Sequence, residues 1–273
     1  FDRAAYEADL IVPINRVKLH TDFVGPIQSG LCKMLVIGLG NHKGCSAVHE
    51  EAPEVFAGAI EETARLILQK APVGFGIAIL ENAYDKTYAV EAVPAEHLVE
   101  REKELVQIAK GNMPYIMLDE ADVIVCGAIG KDISGAGFDP NILGRSSVLK
   151  QFVLHIPRYQ RLVLCDVTPA SHGNGIGVGL FDVITKKVAE QLDLESMYAN
   201  AIACNCLGDA SVPCTVDDEE TAIRVALKCC RNIDRDHPRI IRIQNTLHLG
   251  EIEVSEALLD AVRADSRMSL IEN

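Results

Sequence analysis

Apolar residues recur along the chain with two different spacings, and these spacings predict alternating strands and helices. Short apolar runs predict strands at residues 9–14, 74–80, 87–93, 121–127, 161–167 and 239–243. Apolar positions at helical spacing predict helices at residues 54–69, 94–111, 180–192, 218–230 and 255–263. Because strands lead into loops and then helices, the pattern favours an α/β fold made of two α/β domains with largely parallel sheets.

The length of 273 residues is enough for two domains. We place the boundary at the start of the charged helix that follows Pro94, so that residues 1–95 form the first domain and residues 96–273 the second. The chain begins with Phe1, and an apolar run follows within a few residues. We therefore expect residues 1–95 to be the carboxyl-terminal part of a longer domain that is only partly present.

Composition and charge exclude some classes of protein. Hydrophobic residues make up 48% of the chain, and no apolar run approaches the length that spans a bilayer. The net charge of −13 repels polyanions, which disfavours nucleic acid as a partner. Nine cysteines, an odd number without paired zinc spacing, suit a reducing cytoplasm better than a disulfide scaffold.

The segment from His20 to His49 is the richest in reactive groups, and we expect it to be a polar loop. His20 follows an apolar run and suits a general base, whereas a lone loop histidine is more often only solvated. Lys33 suits covalent chemistry, or simply extends its amine to water. His49 precedes two glutamates and suits a metal ligand, although an isolated histidine there is more often a surface residue.

Two glycine-rich stretches follow apolar runs. VIGLGNHKG, with Gly38, Gly40 and Gly44, differs by one residue from the dinucleotide-binding spacing, so we interpret it as a sharp structural turn. HGNGIGVG at residues 172–179 is either a cradle for an anion at a helix start or a turn that caps itself. Loops at the carboxyl ends of parallel strands are where α/β proteins usually bind ligands.

The segment EADLIVPINRVKLHTDFVGPIQSGLCKMLVIGLGNHKGCSAVHE resembles the nickel-pincer lactate racemase family, including its racemase-like relatives. The resemblance continues through ADVIVCGAIGKDISGAGFDPNILGR, similar to a second-domain loop that closes over the cofactor. It extends less specifically through SHGNGIGVGLFDV and RIIRIQNTLHLGEIEVSEALL. The family's amino-terminal part, with a second catalytic histidine and a substrate-binding arginine, has no counterpart in this sequence.

The resemblance implies a role for each of three residues. His20 corresponds to a catalytic histidine, Lys33 to the lysine that tethers the nickel-pincer nucleotide through a thioamide, and His49 to the histidine that binds nickel. The interval of 16 residues from Lys33 to His49 agrees with the family. The interval from His20 to Lys33 is longer than in lactate racemase itself, which leaves the substrate open.

The implied activity is racemisation or epimerisation of a 2-hydroxy acid by reversible hydride transfer to the cofactor, with proteins of cofactor biosynthesis as partners. We expect Lys131, in the glycine-rich loop after an apolar strand, to contact the substrate carboxylate or cofactor phosphate, or else to be only solvated. The alternatives are a module that binds cofactor or nickel without turnover, a nicotinamide-dependent oxidoreductase and a zinc hydrolase. Neither the identity of the acid nor the oligomeric state follows from the sequence.

Overall fold

The computed structural model describes residues 1–49, 52 and 54–271, apart from the side chains of Cys45 and His49. The chain divides into two compact units. The first contains residues Phe1–Pro114 and Val148–Val153, and the second contains Tyr115–Ser147 and Leu154–Asn273. The division after Pro114 leaves the charged helix that follows residue 95 in the first unit, whereas the sequence pattern predicts that helix at the start of the second domain.

The first unit consists of a small mixed sheet covered by helices. Its strands are β1 (Ile14–Arg16), β2 (Phe75–Glu81) and β3 (Thr87–Pro94), and its helices are α1 (Arg3–Tyr6), α2 (Leu31–Lys33), α3 (Asn41–His49), α4 (Phe56–Lys70) and α5 (Leu98–Asn112). A π-helical segment at Met34–Gly38 continues from α2, and a 3₁₀ turn at Ala95–His97 leads into α5. In the order β1-β2-β3, β1 is parallel to β2 and β3 is antiparallel to it.

Side chains alternate across β2, as expected for a strand with one covered face. Gly76, Ala78 and Leu80 are buried, and α5 packs against this strand. A Cβ atom at Gly76 would approach Leu31 and Leu98 to 2.7 and 3.2 Å, which shows how closely α2 and α5 lie over the sheet. The packing of α5 on β2 explains why this helix belongs to the first unit.

Two predictions for the first unit are wrong. The strand expected at residues 9–14 begins only at Ile14, and Ile11 forms a single bridge with Val73. The expected polar loop is helical from Leu31 to His49, apart from the turn at Leu39 and Gly40. Its helical character comes from a buried apolar stripe that the many glycines obscured, formed by Leu31, Cys32, Leu35 and Val36.

The second unit is built on a six-stranded sheet. Its strands are β4 (Val123–Cys126), β5 (Arg161–Leu164), β6 (Val183–Thr185), β7 (Cys214–Val216), β8 (Ile240–Ile243) and β9 (Ile252–Val254). Its helices are α6 (Pro140–Leu143), α7 (Lys186–Gln191), α8 (Leu194–Ala203), α9 (Glu219–Lys228) and α10 (Leu259–Ala264). The strand order is β7-β6-β5-β4-β8-β9, and every neighbouring pair is parallel except β8 and β9.

The order of strands creates a change of direction beside β4. The chain passes from β4 to β5 on one side and later returns to place β8 on the other side. The carboxyl ends of β4 and β8 therefore flank a topological switch point, the usual place for a ligand in an open α/β sheet. The α/β prediction is confirmed for the chain, with a predominantly parallel sheet in this unit and a mixed one in the first.

The predicted helix at residues 180–192 is wrong in its first part. Residues Val183–Thr185 form β6, and the helix α7 begins only at Lys186. All three residues of β6 are buried, so both faces of the strand are covered and its sequence lacks the alternation of a half-exposed strand. The other long predicted elements, including α4, α5 and α9, are confirmed to within a few residues.

No helix in the part of the chain that the structure describes combines the length and the apolar character required to cross a bilayer.

Candidate functional site

His20 is held in place through its backbone and its ring. Its backbone N–H donates to Gln28 Oε1 at 2.8 Å, and Gln28 Nε2 donates in turn to the carbonyl of Gly25 at 3.1 Å. The imidazole stacks on Phe23 with ring centroids 4.3 Å apart. With only 11% of its side chain exposed, His20 is far more constrained than a solvated loop histidine.

Lys33 ends the short helix α2, whose entry is fixed from two directions. Asn15 Nδ2, on β1, donates to the carbonyl of Gly30 at 2.9 Å. Lys18 and Ser29 pair through reciprocal backbone hydrogen bonds of 2.9 and 3.2 Å, which close the loop between β1 and α2. The stem of Lys33 is half-buried, next in sequence to the fully buried Cys32.

The loop and the helix bring the two predicted site residues into direct contact. Lys33 Nζ lies 2.5 Å from His20 Nε2. Two cations at this distance would repel each other strongly in a half-buried site, so the lysine and the histidine are not both protonated. At least one of the two groups, the amine of Lys33 or the imidazole of His20, is therefore uncharged.

The second ring nitrogen indicates where the imidazole proton lies. His20 Nδ1 accepts the backbone N–H of Asp22 at 3.1 Å, so a neutral ring in this geometry carries its proton on Nε2, facing Lys33. The Asp22 carboxylate Oδ2 lies 4.0 Å from the same Nδ1. In the other tautomer, with the proton on Nδ1, this carboxylate is the nearest acceptor for the Nδ1–H group, and Nε2 carries the lone pair.

The side chain of His49, the predicted nickel ligand, lies outside the described part of the structure. The backbone of α3 follows the Lys33 segment after one tight turn, where a Cβ at Gly40 would lie 2.1 Å from the carbonyl oxygen of Val36. Among the described residues, no group of three or more histidine, cysteine, aspartate and glutamate side chains forms a metal site. His20 and Lys33 place an imidazole and a primary amine in contact, which are the groups that proton transfer and covalent attachment require.

Lys131 lies in the second unit, in the loop that follows β4. Its backbone N–H donates to Ser171 Oγ at 2.8 Å, and its Nζ donates to the carbonyl of Gly135 at 2.6 Å. The loop lies close to the segment after β5, since a Cβ at Gly130 would approach Thr168 Oγ1 to 2.0 Å. Lys131 is thus an exposed cation on an ordered loop at the carboxyl ends of β4 and β5.

The two glycine-rich stretches do not adopt the ligand-binding geometries considered for them. In VIGLGNHKG, the residues up to Gly38 belong to the π-helical segment, Leu39 and Gly40 form the turn and α3 follows, whereas a dinucleotide-binding turn requires a preceding strand. HGNGIGVG leads into a three-residue 3₁₀ turn and then β6, so the expected helix start is absent there. Several of its backbone N–H groups donate to other groups of the protein, for example Gly177 N–H to the carbonyl of Asp209 at 3.0 Å.

Glu102 is a functional candidate that the sequence analysis missed. The side chain is fully buried on α5, and its Oε2 accepts the backbone N–H of Cys32 at 2.9 Å. Burial raises its pKa to about 7, and the hydrogen bonds from Cys32 and Leu31 oppose that shift only in part. A sequence signal was present, because Glu102 interrupts an apolar stripe that includes Leu98 and Leu105.

Comparison with known proteins gives no identification, because no family model, no curated protein and no solved structure matches this chain.

Proposed function

We propose that this chain takes part in the racemisation or epimerisation of a 2-hydroxy acid, with Lys33 as the covalent tether of a nickel-pincer nucleotide and His20 as a catalytic base. The contact of 2.5 Å between Lys33 Nζ and His20 Nε2 is the observation that carries the proposal. His20 and Lys33 are 13 residues apart in the sequence, and the family resemblance assigns both to one site. His49 would bind the nickel.

The bound cofactor would supply a reversible acceptor for the hydride of the substrate carbon. In the tautomer that carries its proton on Nδ1, facing Asp22, His20 would accept the hydroxyl proton of the substrate at Nε2, as one of two bases on opposite sides of the substrate carbon. Its stacking on Phe23 and the hydrogen bond from its backbone to Gln28 would hold the ring in one orientation. Asp22 would stabilise the imidazolium through Nδ1.

The pairing with His20 also prepares Lys33 for attachment. Only an uncharged amine is a nucleophile, and a donor at His20 Nε2 favours the uncharged form over the ammonium ion. We assign Lys131 to the carboxylate of the substrate or the phosphate of the cofactor, as an exposed cation beside the carboxyl ends of two strands. The cofactor-synthesising proteins would act in the cytoplasm, where we place this protein.

The direct test is a covalent adduct on Lys33. The complete protein is expressed with the enzymes that make the cofactor, and the peptide that contains Lys33 is analysed by mass spectrometry. We expect added mass on wild-type Lys33 and none in Lys33→Arg, which keeps the charge but is not a comparable nucleophile. Lys18→Arg, a substitution of an exposed lysine outside the pair, is the matched control and should retain the adduct.

Unmodified Lys33 beside a fully loaded known racemase would contradict the proposal. An adduct without inversion of any 2-hydroxy acid would support the alternative of a cofactor-binding module without turnover. Inversion in deuterated water without deuterium entering the substrate carbon would support internal hydride return over an enolisation route. His20→Gln should keep the adduct, because its amide still presents an N–H donor to Lys33, but should lose inversion, because the amide cannot accept the hydroxyl proton.

A further inference from the structure

The buried carboxyl group of Glu102 meets the segment that carries Lys33. Glu102 comes from α5, separated from Cys32 by 70 positions in the chain, yet its Oε2 accepts the backbone N–H of Cys32 at 2.9 Å. This N–H belongs to the first turn of α2, where backbone donors have no partner within the helix. The acceptor therefore comes from a different helix rather than from a local capping side chain.

Gly30 makes this long-range contact sterically possible. A Cβ atom at Gly30 would lie 2.6 Å from both Cδ and Oε1 of Glu102, closer than real Cβ contacts allow. Gly30, the N-cap residue of α2, has no side chain and so cannot cap the helix itself. The carboxyl group of Glu102 can therefore occupy its buried position only because residue 30 is a glycine.

A buried carboxyl group at this position lowers the stability of the fold. Glu102 is fully buried, and its Oε1 accepts no hydrogen bond from any residue within the described ranges. Burial of a polar group without full compensation costs stability. An unsatisfied buried oxygen calls for an explanation, and a role in holding a functional geometry provides one.

We propose that Glu102 is a positioning residue for Lys33: by holding the first turn of α2, it fixes the direction in which the lysine amine reaches His20. This inference rests on the proposed role of Lys33 as the tether. The lysine lies one residue after Cys32 in the same turn, so a shift of the Cys32 backbone moves Nζ directly. A displacement of about 1 Å is enough to lose a contact of hydrogen-bonding length.

The test uses the cofactor-free protein, so that it does not depend on cofactor loading. The rate of Lys33 modification by an amine-reactive ester is measured by mass spectrometry, with exposed lysines of the same molecule as internal references. The ¹⁵N chemical shift of His20 Nε2 reports the contact independently. A purely structural role would change the melting temperature without changing either quantity in the folded protein.

Three substitutions test the hydrogen-bond acceptor of Glu102, and a fourth, at Glu104, is the control. Glu102→Leu removes the acceptor, and we expect a fall of about tenfold or more in the relative Lys33 rate together with a change in the His20 shift. Glu102→Gln keeps an oxygen acceptor and should restore both to wild-type values. Gly30→Ala displaces the carboxyl group and should act like Glu102→Leu, whereas Glu104→Gln changes only an exposed ion pair on the same helix.

The inference would be overturned if Glu102→Leu and Gly30→Ala both kept the wild-type rate of Lys33 modification and the wild-type ¹⁵N shift of His20 Nε2. Both variants are measured well below their melting temperatures. If Glu102→Leu does not fold, Gly30→Ala and the Glu102→Gln rescue still decide it. Failure of the cofactor to attach to wild-type Lys33 would refute the proposed function alone, because the geometry of the cofactor-free pair is measured separately.

Discussion

At the scale of single residues, the Glu102 carboxyl group should make folding stability depend on pH. Its pKa in the folded protein is raised to about 7 by burial, from an ordinary value of 4.5. The folded state therefore binds this proton more tightly than the unfolded state does. The stabilisation that the proton on Glu102 gives to the folded state is fully present below pH 4.5, and it is lost as the pH rises to about 7.

We predict that the wild type loses about 3 kcal/mol of unfolding free energy relative to Glu102→Gln as the pH rises through this window. The glutamine variant keeps a similar shape and an oxygen acceptor but has no proton to release. Urea denaturation at a series of pH values measures the difference between the two proteins. Parallel stability curves would show that the carboxyl group is not buried in solution as it is in the structure.

Some of these residues could be predicted from the sequence and others could not. His20 and Lys33 were identified by residue type and by resemblance, but their contact depends on how the loop after β1 folds back on α2. Glu102 escaped notice because its role comes from a partner 70 positions away. A charged residue on an apolar stripe is a local signal, yet only the tertiary packing reveals which backbone group it meets.

At the scale of secondary structure, the tight turn between the π-helical segment and α3 controls where α3 begins. Gly40 lies in this turn, with its Cα so close to the Val36 carbonyl that a Cβ would be 2.1 Å from the oxygen. Asn41, the first residue of α3, follows with a φ of 52°, a left-handed conformation that asparagine tolerates better than most residues. A side chain at Gly40 would therefore displace the backbone of α3.

We predict that Gly40→Ala lowers the free energy of unfolding by about 1–3 kcal/mol, because overpacking forces the backbone apart. Gly58→Ala is the matched control, since this glycine is inside α4 and a Cβ there meets nothing within 4 Å. The control should raise stability by up to about 1 kcal/mol through better helix propensity. Chemical denaturation compares both with the wild type, and equal effects of the two substitutions would contradict the predicted clash.

Element length decided how well the sequence predicted the secondary structure. The helices α4 and α5 are each 15 residues long, enough for their apolar spacing to be recognised. The strands β6, β7 and β9 are only three residues each, too short for a period to appear. The helical segment after Leu31 was mistaken for a loop because glycines outweighed its buried apolar stripe.

At the scale of the whole molecule, the alternation of strands and helices was sufficient to predict the α/β class and the mainly parallel sheet of the second unit. It did not give the order of strands, because β8 and β9 reach their places beside β4 only through long-range pairing. Nor did it give the extent of the first unit, since the contact of α5 with β2 is also long-range.

The net charge of −13 predicts how the anionic substrate proposed above would approach this molecule. A 2-hydroxy acid is itself negative at neutral pH, so the long-range field of the protein opposes its arrival, while Lys131 would attract it only at short range. The Debye length falls from about 30 Å at 0.01 M salt to about 10 Å at 0.1 M. Added salt should therefore screen the repulsion more than the local attraction.

On the basis of the proposed function, we predict that kcat/KM of the cofactor-loaded protein for a 2-hydroxy acid rises as potassium chloride is increased over this range. Lys131→Gln should lower kcat/KM at every salt concentration and make its rise with salt steeper, because the screened local attraction no longer offsets the screened repulsion. Sodium chloride serves as the control for specific ion effects and should give the same curve. A decrease of kcat/KM with salt in the wild type would mean that a positive local potential, rather than the net charge, governs the encounter.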